Sequence, residues 1–149
     1  YTPMKVLTYL AALVLLLAAT VACTKKPAGA ISVTDAWVRA THPGQQTGAA
    51  YLSINSATAA SLIKVESPAA AHAEIHSMEM QDGIMLMREM DALVLPANQN
   101  VSLAPGGNHI MLMNLKQPMI AGEKVPLKLS IKRGDETIQM DVQADVRKN

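Results

Sequence analysis

Two residue types suited to soft-metal coordination crowd one quarter of the chain. The stretch from His76 to Met113 (HSMEMQDGIMLMREMDALVLPANQNVSLAPGGNHIMLM) holds seven of the ten methionines and two of the four histidines. Methionine normally enters a core as an occasional gap-filler, so this clustering asks for a chemical reason. Thioether sulfur is soft and selects Cu(I) among common biological ions, while imidazole suits Cu, Zn, Fe or Ni. His76, Met87, His109 and Met111 are the candidate donors for one such ion, Cu(I). Zinc would recruit Cys, Asp or Glu rather than two thioethers. The sole cysteine, Cys23, lies far from the stretch, which excludes a blue-copper electron-transfer centre built by this chain alone. A neutral donor set releases its ion by ligand exchange, so the expected task is carriage rather than redox chemistry. Imidazoles must be neutral to ligate, so affinity is expected to weaken below about pH 6.5, the ordinary histidine value.

Positioning these four side chains is a problem in β-strand parity. Asp82-Gly83 is a dipeptide suited to a two-residue type I′ hairpin turn. In that register Gln81 faces Ile84, Met80 faces Met85, Met78 faces Met87 and His76 faces Glu89. His76 and Met87 then become diagonal neighbours on one face. A three-residue loop would shift the pairing by one and send them to opposite faces. The other half of the site is His109-Ile110-Met111, whose first and third residues point the same way on a strand. Gly106-Gly107 brings that strand in beside a loop, where a site stays reachable from solvent. Met78 and Met113 share the ligand face as supporting or substitute donors. Met80, Met85, Met90, Met119 and Met140 are assigned to packing, and His42 and His72 are placed away from the cluster. The bland alternative is a methionine face that packs against a protein or lipid partner, because methionine on a strand is more often core than ligand.

The chain has 149 residues, half of them apolar, and a net charge of +1, which suits one domain with one core. No basic run exceeds two residues, and Phe is absent, so neither an electrostatic nor a stacking footprint for nucleic acid is present. No nucleophile–base pair, phosphate loop or carboxylate dyad stands out, and an enzyme is not expected. Lys5 followed by the apolar run Val6–Val21 reads as an export signal. Thr20-Val21-Ala22 before Cys23 looks like a lipoprotein signal that would lipidate Cys23, with threonine where leucine is usual. A plain cleaved signal and an uncleaved anchor helix are the competing readings. The expected organisation is a signal over 1–22, a linker over 23–30 and a metal-binding domain over 31–149.

Within that domain the three-four apolar spacing of helices is missing. Short alternating runs separated by Gly, Pro, Asn and Asp predict strands instead. They fall at Ile31–Arg39, Gly48–Asn55, Ser61–Glu66, Ala71–Met80, Gly83–Met90, Leu93–Leu95, Val101–Ala104, His109–Leu115, Val125–Lys132 and Thr137–Val146. Each one-sided strand needs a second layer to cover it, so the expected fold is all-β, an antiparallel Greek-key sandwich.

His76, ten residues, Met87, twenty-one residues, then His109-x-Met111 resembles the H-x10-M-x21-H-x-M signature of the periplasmic copper A chaperone (PCuAC) family. Asp35–Thr41 with Pro43-Gly44, Gly48–Leu52, Leu103–Gly107 and Gly122-Glu123 resemble other parts of that family, and the likeness runs from about Ile31 to Ile131. The resemblance implies a cupredoxin-like sandwich that binds one Cu(I) outside the cytoplasm; a monomer is expected. It further implies delivery to the CuA site in subunit II of cytochrome c oxidase, alongside a Sco-type thiol protein. A periplasmic copper buffer for detoxification would use the same site. Some members carry a His- and Met-rich tail with a Cu(II) site; Ala144–Asn149 has neither residue type, and a second copper of that kind is not expected.

Overall fold

The computed structural model describes residues 29–148. The export signal and Cys23 lie outside the described residues, as does most of the linker. Ten strands follow one another: β1 Ile31–Arg39, β2 Thr47–Ser56, β3 Ala60–Glu66, β4 Ala70–Gln81, β5 Ile84–Met90, β6 Leu93–Leu95, β7 Asn100–Leu103, β8 His109–Leu115, β9 Lys124–Arg133 and β10 Glu136–Arg147. Each begins and ends within a residue or two of the alternating runs. The two-residue period of those runs decides which face is buried. In β9, Val125, Leu127, Leu129 and Ile131 are buried, while Lys124, Pro126, Lys128 and Lys132 are exposed.

Hydrogen-bonded neighbours run β5-β4-β8-β2-β1-β10-β9-β3-β6, with β7 also paired to β2. Strands β3 and β4 lie far apart along this order, with β8, β2, β1, β10 and β9 between them. Yet only Ser67, Pro68 and Ala69 join them, and they pack against each other. The sheet therefore curls back so that its halves cover one core. Val38, Leu52, Ile54, Leu62, Leu112 and Leu129 are among the side chains fully removed from solvent there. Burial of a side chain of this size contributes about 1.5–3 kcal/mol.

One ladder departs from the all-antiparallel expectation, as does the isolated Ser56↔Ala97 bridge. Among the described residues, β1 and β10 form the one parallel ladder, with Trp37, Val38 and Arg39 beside Asp145, Val146 and Arg147. The sheet is mixed. Strand β1 is also bulged between Thr34 and Trp37, where Asp35 takes a φ of 49°. The β9–β10 hairpin pairs without interruption from Glu136↔Arg133 to Asp145↔Lys124. The Lys116–Glu123 loop is tied down at Met119, which is buried: its N–H donates to Thr41 Oγ1 (2.9 Å) and its carbonyl accepts from the Thr41 N–H (3.0 Å).

Candidate metal centre

The hairpin that carries half of the candidate donors turns at Asp82-Gly83, whose φ values are 53° and 77°. Positive φ at both central residues defines the type I′ turn. The register follows from it: Gln81↔Ile84, Met80↔Met85, Met78↔Met87 and His76↔Glu89. On its other side β4 pairs with β8, giving His76↔His109, Glu74↔Met111 and His72↔Met113. Residues of one parity therefore share the outer face of three adjacent strands. From β5 come Met85, Met87 and Glu89; from β4, His72, Glu74, His76, Met78 and Met80; from β8, His109, Met111 and Met113. The opposite parity, Ile75, Ile110 and Leu112, lies in the core.

His76 and His109 meet at the centre of this face. Their ring centroids are 5.6 Å apart and inclined by 58°. An imidazole nitrogen sits about 2.0 Å from a bound ion, which places two ring centres on a shared ion roughly 5–6 Å apart; the observed spacing lies in that span. Hydrogen bonding selects one nitrogen of each ring. His109 Nδ1 lies 3.1 Å from the Gly107 carbonyl oxygen, an acceptor, so the proton sits on Nδ1 and Nε2 keeps its lone pair. His76 Nε2 lies 2.7 Å from Glu74 Oε2. With Nε2–H donating there, Nδ1 carries the lone pair, and it is buried with no hydrogen-bond partner among the described residues. A buried polar atom normally finds a partner; an unpaired imidazole lone pair is what a ligand needs. Each ring is also anchored through its other nitrogen, as ligating histidines usually are.

The thioethers are arranged differently. Met87 stands one rung from His76 toward the hairpin tip, and Met111 one rung from His109 in the other direction. They flank the imidazole pair from opposite sides. In a flat sheet their Cα atoms would be roughly 16 Å apart, further than two extended methionines meeting on one ion can reach. Sheet twist and coiling of the hairpin arm have to shorten that distance. Met78 faces Met87 directly, and Met113 lies beside His72. Among the described residues no three His, Cys, Asp or Glu side chains cluster to hold a metal.

Several side chains sit where sequence reasoning did not put them. His72 lies on the same outer face, but two rungs along β4 from His76. Met80 and Met85, assigned to packing, are 65% and 47% exposed, because the β4–β5 arm runs past the end of the core. Met119 is buried, and Met90 and Met140 pack against the core. His42 stays apart in its exposed turn. Glu74, the partner of His76, was missed, although its position two residues before His76 already put both on one face. Beside β8, the outer face continues onto Tyr51 and Trp37, whose rings are 4.5 Å apart. Arg39 lies over Tyr51 and Arg147 over Trp37, each 5.7 Å from the ring centre.

Solved PCuAC domains share this curled β-sheet fold. The copper-bound PCuAC domain from PmoF2 superposes with a TM-score of 0.66 at 22% identity, covering 82% of this chain and 96% of that one. The Cu(I) form of DR1885 from Deinococcus radiodurans superposes with a TM-score of 0.63 at 26% identity, covering 89% of this chain and 87% of that one. Residues 31–144 match the family described as "Putative lipoprotein LpqE-like", and the chain belongs to that family. A relative described as "Putative lipoprotein Lxx21020", from Leifsonia xyli subsp. xyli, is 33% identical over 110 residues, 73% of this chain. The match spans 66% of that relative, a little under two thirds of its length.

Proposed function

We propose that the domain is an extracytoplasmic copper carrier that binds one Cu(I) through His76 and His109, with Met87 and Met111 closing on the ion from either side. The observation that carries the reading is the imidazole pair: two rings 5.6 Å apart, one with a buried, unpartnered Nδ1 and the other pinned to a backbone carbonyl. The copper-bound state of two structural relatives supports the same reading. Met78 and Met113 stand ready on the same face as substitute donors. Neutral donors, two of them on a solvent-facing arm, favour hand-over to a second protein by ligand exchange. The CuA centre of cytochrome c oxidase subunit II, supplied together with a Sco-type thiol protein, is the acceptor proposed here. The lipoprotein descriptions of the family and the Leifsonia relative support export and an anchor at Cys23.

X-ray absorption on the Cu(I)-loaded protein tests the site, with two nitrogen and two sulfur neighbours expected; a shell of oxygen and nitrogen alone would sink it. A Cu(I) titration against a competing chelator separates carriage from mere packing, since a packing face gives no stoichiometric endpoint. Cys23→Ser should move the protein from the membrane to the soluble fraction.

A further inference from the structure

The methionines of the hairpin tip are left over by the packing of the domain. Met80 and Met85 oppose each other at the last pair but one before the turn, and Met78 and Met87 oppose each other one rung below. Three of the four are largely exposed: Met80 at 65%, Met87 at 48% and Met85 at 47%. No core covers this end of the arm, so apolar packing does not account for four thioethers on one face. Directly opposed side chains on paired strands have Cβ atoms about 4.5–5.5 Å apart, and successive same-face residues on one strand lie roughly 7 Å apart. Four methionines at the corners of such a rectangle can fold their sulfurs over a common centre without any movement of the backbone. Met87 and Met111, by contrast, stand two strands and four residues apart in the register and oppose no common partner.

We propose that Met78, Met80, Met85 and Met87 form a second, outer site for a soft monovalent ion, and that Met87 belongs to both sites and passes the ion between them. The proposal rests on the copper reading above and extends it by giving the ion a way in and out. All four donors are neutral thioethers, which favour Cu(I) or Ag(I) over harder ions. The outer site lacks imidazole and lies open to solvent, so it binds more weakly and fills second. Transfer is an exchange of one neutral ligand for another at Met87. No electron or proton moves.

The test is a Cu(I) titration, without oxygen, of protein carrying 13C-methyl methionine, followed by NMR of the methyl groups and of the histidine rings. The first equivalent should move the His76 and His109 ring signals and the Met87 and Met111 methyls. The second should move Met78, Met80 and Met85. The double variant Met80→Leu/Met85→Leu conserves volume at exposed positions, so it should keep the wild-type circular dichroism and melting curve. It should lose the second endpoint, keep the first, and release its ion to a chelator several-fold more slowly. If the imidazoles respond but Met80 and Met85 stay still through two equivalents, the outer site is overturned and the inner one stands. If the tip methyls respond to the first equivalent while the imidazoles do not, the inner site is overturned and the outer one stands.

Discussion

At the residue scale, the site depends on which nitrogen of each imidazole is left free. Glu74 and the Gly107 carbonyl bear on that choice through their contacts with the two rings, and neither belongs to the proposed donor set. Glu74→Gln keeps the shape of the side chain but weakens its hold on the His76 Nε2–H. Outer partners of this type change metal affinity by about 10–100-fold, so a loss in that range is expected from chelator competition, with the melting temperature of the metal-free protein unchanged. Met111→Leu should likewise preserve the fold, at a cost below about 1.5 kcal/mol, while Cu(I) affinity falls by at least about tenfold. Equal affinity in the leucine variant would show that Met113 or Met78 had taken its place. The four candidate donors stood out in the sequence because their types and spacing are unusual, and the strand register puts all four on one face. Glu74 was not, because a carboxylate two residues before a histidine is unremarkable until both are known to sit on a strand.

At the element scale, the β4–β5 hairpin sets the site through its two-residue turn. Asp82 and Gly83 both hold positive φ, a conformation that costs an L-residue roughly 1–2 kcal/mol. Gly83→Ala should therefore destabilise the hairpin by about that amount, although nothing lies within 4 Å of the added methyl. Inserting one glycine between Asp82 and Gly83 is a sharper perturbation. It moves the register by one residue and turns Met85 and Met87 to the other face, so Cu(I) binding should collapse while the core, which ends at Ile75 and Met90 on this arm, stays folded. The separation of Met87 and Met111 adds a dynamic expectation. A methyl–methyl NOE between them should be absent in the metal-free protein and present after one equivalent of Cu(I). The turn and its register could be read from Asp-Gly alone. The exposure of Met80 and Met85 could not, because alternation shows which residues share a face but not where the core beneath that face ends.

At the scale of the whole molecule, closure depends on the first and last strands of the described domain, β1 and β10. Alternating patterns identified both β1 and β10, yet nothing local to either strand signals that they lie parallel, because the connection between them is the rest of the domain. An antiparallel expectation extrapolates from hairpins, and this pair is not one. The arrangement places Asp145 on β10 opposite Lys124 on β9, with Arg147 also in reach, while Arg147 bonds Asp35 within the β1 bulge. The hydrogen bond from Lys124, then its charge, hold the Asp145 carboxyl below its usual value. A carboxyl lowered by folding adds stability that is present above its unfolded value, about 3.9, and lost as pH falls through the lower folded value. Melting curves of the wild type and of Asp145→Asn should therefore differ most near neutral pH and converge under strong acid. Because these groups are exposed, added salt should shrink the difference at neutral pH. A gap that persisted in molar salt and at low pH would place the role of Asp145 in packing instead. Leu129→Ala, a fully buried change on the neighbouring strand, should by contrast cost about 2–5 kcal/mol at every pH and salt concentration, which makes it the control for reading the ion pair.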